Sequence, residues 1–233
     1  MSVVRQNGIF FGWRVVGAAF VLAVLGWGTG FYGPPIFLRA IEETKGWPVP
    51  LISTAVTVHF VVGAVVVANL PTLYARFGIR NATKAGAGFL AVGILGWASA
   101  TAPWQLYAVT LFSGAGWAAM AGAAVNAIIS PWFVRSRPAA LSMAYNGASI
   151  GGVIFSPLWA VGIALLGFPI AAAAIGILMA LTMWVLADRF LSRTHQQMDC
   201  APTTMFNPHL RCCPPHPMRG LDSDRRFGAI RSF

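Results

Sequence analysis

Residues 131–152 read PWFVRSRPAALSMAYNGASIGG and place two arginines directly before a long apolar run built from small residues. Charges are scarce elsewhere, because only 9% of the chain is charged and 57% is hydrophobic. A soluble domain has about 25% charged residues. The 233 residues also enclose too small an interior to hide this much apolar surface. The composition therefore predicts a protein embedded in a lipid bilayer.

Six apolar runs are long enough to cross the hydrocarbon of a bilayer, which takes about 20 helical residues. Backbone polar groups inside lipid must be paired within their own segment, so each run is expected to form a helix. We predict an all-α integral membrane protein with six transmembrane helices in one bundle. The runs cover residues 13–38, 49–73, 83–101, 105–130, 139–164 and 168–187.

The apolar runs divide the chain into three parts. Residues 1–12 form a short N-terminal segment, and residues 13–190 contain all six runs. The final part, residues 191–233, has no apolar run and holds all three cysteines. Such a segment buries too little apolar surface to offset the entropy lost on ordering. We therefore expect it to be a basic, disordered tail.

The distribution of charge between the runs predicts the orientation of the chain. All of the 16 basic residues except Arg39 and Lys45 lie in segments on one side of the predicted membrane. Lysine and arginine are retained in the cytoplasm. Both termini are therefore expected to be cytoplasmic, with the protein in the plasma membrane, in a bacterium the inner membrane. The net charge of +10 forms no single basic face, so we expect no nucleic-acid partner.

The second half of the opening stretch predicts a close helix contact. Gly147 and Gly151 are four residues apart and share one face of the predicted fifth helix. Small residues at this spacing let the backbone of another helix approach closely. We expect this face to lie inside the bundle.

Two segments resemble parts of the major facilitator superfamily. Residues 75–86, ARFGIRNATKAG, resemble its loop between helices two and three, which reads Gly-x-x-x-Asp-Arg-x-Gly-Arg followed by Arg or Lys. Arg76, Gly78 and Arg80 match, and the resemblance implies that they form a conformational gating loop. Ala75 replaces the aspartate, which removes a charge contact that in the superfamily holds one conformation.

The opening stretch is similar to a pattern of the monocarboxylate and oxalate–formate porter branch of that superfamily. Residues 8–16, GIFFGWRVV, also resemble the start of its first helix. The resemblance implies one bundle made of two inverted three-helix repeats, which rocks against a second bundle in alternating access. The matching residues of the opening stretch are Trp132, Phe133, Arg137, Ala140, Gly147 and Gly151.

Polar side chains inside the predicted spans are candidates for the substrate path, because polar groups in a bilayer are costly and tend to face a cavity or a partner. The resemblance implies that helices one, two, four and five line this path. Other roles remain open: Tyr32 in an aromatic belt, His59 bonded to a neighbouring helix, and the asparagines as interhelical links. The candidates are Tyr32, His59, Asn126, Tyr145 and Asn146.

Two motifs suggest other chemistry but fit poorly. Residues 147–151 satisfy the G-x-S-x-G elbow of hydrolases around Ser149, yet that elbow follows a strand, and here an apolar helix is predicted. Asp188 and His195 would complete the triad but lie at or beyond the end of the sixth span. The tail holds possible zinc ligands with an unusual spacing, so we expect no metal, no cofactor and no enzyme activity. These ligands are His209, Cys212, Cys213 and His216.

The sequence as a whole is interpreted as the N-terminal half of a secondary transporter for a small solute, such as a small organic anion. We expect a truncated or frame-shifted chain, because the composition changes abruptly at Thr194. Its expected partners are the lipid bilayer, a small-molecule substrate, and the missing C-terminal half or a second copy of the chain. The alternative is a membrane scaffold or partner subunit that transports nothing.

Overall fold

The structure, a computed structural model, describes residues 11–133 and 135–191. This part of the chain consists almost entirely of helices joined by short turns. Five stretches are long and apolar enough to cross a membrane, which confirms the prediction of an all-α protein suited to a bilayer. The elements are α1 (Phe11–Gly26), a π-helical turn (Trp27–Phe31), α2 (Gly33–Lys45), α3 (Val49–Ser99), α4 (Pro103–Ala118), α5 (Gly122–Ile129), α6 (Arg137–Leu166) and α7 (Phe168–Phe190).

Several predictions fall outside the described residues. They concern most of the N-terminal segment 1–12, nearly all of the tail 191–233, the zinc candidates and His195. They stay predictions.

The first predicted span, 13–38, is observed as one continuous helical stretch, Gly12–Lys45. The prolines that follow Gly33 occupy the first turn of α2, where a backbone N–H has no helical partner to lose. Beyond the predicted end, Arg39 Nε and Glu43 Oε1 lie 2.9 Å apart one turn from each other. Such pairs favour helix, so the helix continues through residues that are too polar to count as part of an apolar run.

The longest element, α3, is broken at Gly78, whose φ of 76° and ψ of 154° lie outside the helical region. Ser113 Oγ on α4 lies 2.8 Å from His59 Nδ1 and 3.1 Å from Trp97 Nε1. Along a straight helix these two α3 side chains would be about 57 Å apart. The chain must therefore reverse direction at Gly78.

The reversal divides α3 into a first arm, residues 49–77, and a second arm, residues 79–99, and both pack on α4. The arms match the predicted spans 49–73 and 83–101. The connection between these two spans is shorter than predicted, because helical residues flank a turn made by one glycine. Glycine is needed there because this region of φ and ψ is nearly closed to other residues.

Replacing Gly78 by alanine is expected to destabilise the protein by about 1–3 kcal/mol, the usual cost of a residue held in such a conformation. A Cβ at Gly78 would meet no atom within 4 Å, so backbone strain alone would be responsible. Gly88→Ala is the matched control, because Gly88 is helical and has the same free space. It should stabilise the protein by about 0.5–1 kcal/mol. Thermal unfolding in detergent measures both, and an unchanged Gly78→Ala variant would contradict the turn.

Helices also cover the remaining predicted runs, with small changes. The fourth, 105–130, is interrupted after Ala118, and α5 continues from Gly122. The last two are α6 and α7, which are joined by Gly167 with φ of 79° and ψ of 156°. The backbone at this turn is nearly the same as at Gly78.

Helix α6 packs along α1 through its small residues. A Cβ on Gly147 would lie 2.5 Å from the carbonyl oxygen of Phe20, and one on Gly151 would lie 2.5 Å from that of Val24. The contacts advance along both helices in the same direction, so α1 and α6 are parallel. Their backbones are closer than any larger side chain would allow.

Candidate functional site

Six aromatic rings form a continuous group on one side of the bundle, here called the aromatic surface. The indole of Trp27 lies 5.0 Å from that of Trp117, and the ring of Phe31 lies 5.7 Å from that of Phe60. These contacts are edge-to-face, the arrangement that aromatic pairs prefer. The surface joins the π-helical turn, the start of α2, the first arm of α3, α4 and α6. Its members are Trp27, Phe31, Tyr32, Phe60, Trp117 and Tyr145.

The aromatic surface is open on one side and has polar groups beside it. Phe31 is 43% exposed and Tyr145 is 37% exposed. Trp117 is only 9% exposed and forms the buried base of the surface. The hydroxyl of Tyr145 donates to the carbonyl oxygen of Gly122 at 2.8 Å. Ser149, one turn further along α6, is also exposed. A mixed aromatic and polar surface of this kind suits a small ligand better than it suits lipid tails.

The structure places two of the five predicted path residues in this surface. Tyr145 contacts Trp27, with ring centroids 6.3 Å apart, and Tyr32 contacts Phe31 at 5.2 Å. Asn146 is exposed on α6 beside Tyr145.

Asn126 is held at the junction of α5 and α6. Its Oδ1 accepts a hydrogen bond from Arg137 Nη2 at 3.0 Å. This geometry favours the role of an interhelical link, which the sequence had left open.

His59 lies behind the aromatic surface and is fully buried. Its ring is 4.9 Å from that of Phe60. Nε2 is 3.0 Å from the carbonyl oxygen of Gly30, and Nδ1 is 2.8 Å from Ser113 Oγ. The imidazole therefore does not line the aromatic surface itself and contacts it through the ring of Phe60.

Sequence reasoning selected polar side chains, so it missed most of the aromatic surface. The available signal was the segment WGTGF, in which two glycines alternate with larger residues. A Cβ on Gly30 would lie 2.7 Å from Trp117 Cε3. Glycine at this position lets the indole approach the backbone of the π-helical turn, and such turns occur frequently at functional sites.

The predicted gating residues lie at the reversal of α3. The guanidinium of Arg76 lies 5.9 Å from the ring centroid of Phe77. Arg80 contacts Asp188 on α7, with Nε and Nη2 at 2.7 and 2.5 Å from Oδ1, and Lys84 Nζ is 2.5 Å from the same oxygen. The carboxylate of Asp188 thus supplies a charge contact at this end of the bundle. Ala75, which stands at the position of the pattern's aspartate, has no carboxylate.

The charge cluster of Arg80, Lys84 and Asp188 is open to solvent. Arg80 and Asp188 each expose almost half of their side chains. Ion pairs at such exposure contribute about 0–1 kcal/mol. A contact of this strength can form and break without a large change in the stability of the bundle.

No protein-family model matches the chain, and no curated protein sequence matches it. Ser149 lies within the regular helix α6 rather than at a strand-to-helix elbow, and Asp188 binds Arg80 and Lys84. Within residues 11–133 and 135–191, no group of three or more histidine, cysteine or carboxylate side chains gathers as a metal site would require.

Proposed function

We propose that the protein is a secondary transporter of the major facilitator type that moves a small solute by alternating access. The observation that carries this proposal is the open aromatic surface. It is built from the helices that correspond to predicted spans one, two, four and five. The amide of Asn146, exposed beside it on α6, would be costly against lipid.

The packing supports six spans arranged as two inverted three-helix repeats. Exchanging the repeats would pair span one with span four, span two with span five, and span three with span six. The contact between spans one and five, where Gly151 packs on the carbonyl oxygen of Val24, then corresponds to a contact between spans four and two. In its counterpart, a Cβ on Gly63 of span two would lie 3.4 Å from the carbonyl oxygen of Gly114 in span four.

The exchange also relates the turn between spans two and three to the turn between spans five and six. The turn between spans two and three is Gly78, with φ of 76° and ψ of 154°. The turn between spans five and six is Gly167, with φ of 79° and ψ of 156°. The helices that contain spans three and six, which the exchange relates to each other, are the second arm of α3 and α7, and they meet directly through Arg80 and Asp188. Equivalent turns and equivalent contacts are what a duplicated three-helix unit predicts.

The substrate class follows from what the aromatic surface offers. None of its six side chains is charged, and Tyr145 hydrogen-bonds a backbone carbonyl. A small organic anion would thus pack its apolar part here and take its counter-charge from an opposing bundle. That bundle is either a C-terminal half or a second copy of this chain. We place the protein in the plasma membrane with both termini in the cytoplasm, as the charge distribution indicates.

Uptake into liposomes tests the proposal. If a second copy supplies the opposing bundle, the purified chain should carry labelled monocarboxylates into liposomes when a proton or substrate gradient is imposed, and empty liposomes should not. If a C-terminal half supplies it, flux should require that half. Trp117→Leu removes the indole at the base of the aromatic surface and should lower the flux about tenfold or more, since positioning contacts of this kind control rate. Leu178→Ala, on the exposed face of α7, is the control. Absence of flux together with absence of water at the aromatic surface would favour the scaffold.

A further inference from the structure

The hydrogen bonds around His59 fix the form of its neutral ring. The carbonyl oxygen of Gly30 can only accept, so Nε2 at 3.0 Å must carry a proton and donate. Nδ1 of the neutral ring is then an acceptor, and Ser113 Oγ donates to it across 2.8 Å. Trp97 Nε1, which can only donate, donates to Ser113 Oγ at 3.1 Å. Every polar group in this buried set has a partner.

The same set can also satisfy a protonated ring. Ser113 Oγ lies 3.3 Å from the carbonyl oxygen of Thr110, a second acceptor for its hydroxyl proton. If the hydroxyl turns toward Thr110, the two lone pairs of Oγ can accept from His59 Nδ1–H and from Trp97 Nε1–H. The oxygen then donates once and accepts twice, which is its full capacity. No heavy atom has to move.

The groups that face the imidazole are uncharged on every side for which the structure gives a contact. The π-helical turn presents the Gly30 carbonyl, α4 presents Ser113, and the first arm of α3 presents the edge of Phe60. Two tyrosines of the aromatic surface, Tyr32 and Tyr145, contact Phe31 and Trp27 instead. A proton on His59 would therefore be stabilised by backbone carbonyls and the serine, not by a carboxylate.

We propose that His59 and Ser113 form a proton-binding site inside the bundle, with the carbonyls of Gly30 and Thr110 as the acceptors in the charged state. A proton from hydronium in the solvent binds Nδ1 and leaves a water molecule behind, and the serine hydroxyl turns from Nδ1 to Thr110. No covalent bond between heavy atoms changes. The proton site itself does not depend on the proposed function. Its role does, because the proton would be the coupling ion of the proposed transporter.

Nitrogen-15 NMR of His59 tests the site directly. The other three histidines of the chain are His195, His209 and His216, and changing all three to glutamine leaves His59 as the only signal in the full-length protein. The neutral ring should carry its proton on Nε2. On acidification both ring nitrogens should become protonated while the near-ultraviolet circular dichroism of the tryptophans stays native.

A serine variant separates a proton site from a merely structural histidine. Ser113→Ala removes the acceptor for Nδ1–H of the charged ring and also the donor to Nδ1 of the neutral ring. Because a hydrogen bond to a charged group is about twice as strong as a neutral one, half-protonation should need an about three- to tenfold higher proton concentration. Ser99→Ala is the control, because that hydroxyl donates to the carbonyl oxygen of Leu95 within its own helix. If Ser113→Ala does not fold, Ser113→Cys, a weak acceptor, should shift the titration in the same direction.

Three results would overturn the proposal: a neutral ring with its proton on Nδ1, protonation that occurs only as the protein unfolds, or a titration unchanged by loss of the Ser113 hydroxyl. A lack of flux in liposomes would count against the transporter and would leave these NMR results as they are. The two failures are thus distinguishable.

Discussion

Replacing Gly147 or Gly151 by leucine should disrupt the bundle more than any other single change considered. A Cβ at either position would lie 2.5 Å from a carbonyl oxygen of α1, so the side chain would have to push two backbones apart. Overpacking of a core typically costs about 1–3 kcal/mol, and we expect the upper end of that range because backbone cannot rotate away. Thermal unfolding in detergent should show the loss for both variants.

Gly88→Leu is the matched control for these glycine variants. Gly88 is also in a helix, and an added Cβ there would meet no atom within 4 Å. Its melting temperature should equal or slightly exceed that of the parent, because leucine, like alanine, favours helix over glycine. If Gly147→Leu and Gly151→Leu melt like this control, α6 does not pack on α1 in the way described.

Labelling of single cysteines should give an all-or-none answer on orientation. The native Cys200, Cys212 and Cys213 are first changed to serine. A cysteine in place of Glu43, which is 60% exposed, should react with a reagent added outside the cell. A cysteine in place of Ala139, exposed at the start of α6, should react only after the membrane is permeabilised. The reason is that almost all basic residues lie on the side of Ala139.

The reverse pattern, with Ala139→Cys labelled from outside and Glu43→Cys protected, would contradict the cytoplasmic assignment of both termini. Labelling of both from outside would show that residues 43 and 139 lie on the same side of the membrane. That result would contradict an odd number of crossings between them.

The sequence predicted the helices well because length and apolar composition alone decide whether a segment can span a bilayer. It was less able to predict where they end. Arg39 and Glu43 look like loop residues by hydropathy, yet their ion pair extends α2. The length of the loop around Gly78 was overestimated for a related reason. A helix can continue up to a turn made by one glycine, whatever the polarity of its last residues.

The candidate site was predicted less completely than the fold. Tyr32 and Tyr145 were selected because they are polar, and they do lie in the aromatic surface. Trp27 and Phe60 were not selected, because an apolar helix has no polar face from which its orientation could be read. The depth of His59 could not be predicted either. His59 is buried because α4, which carries Ser113, packs between the arms of α3. That packing brings together residues that are distant in sequence.

The central claim is that the aromatic surface borders an aqueous path rather than lipid. Ser149→Cys, exposed one turn from Tyr145, tests this claim in a chain whose tail cysteines are serine. Leu178→Cys, 60% exposed near the middle of α7, is the lipid-facing control. A charged, water-soluble thiol reagent should modify Ser149→Cys in membranes and leave Leu178→Cys unmodified, since only thiols in contact with water form the reactive thiolate. Equal protection of both cysteines would contradict the account.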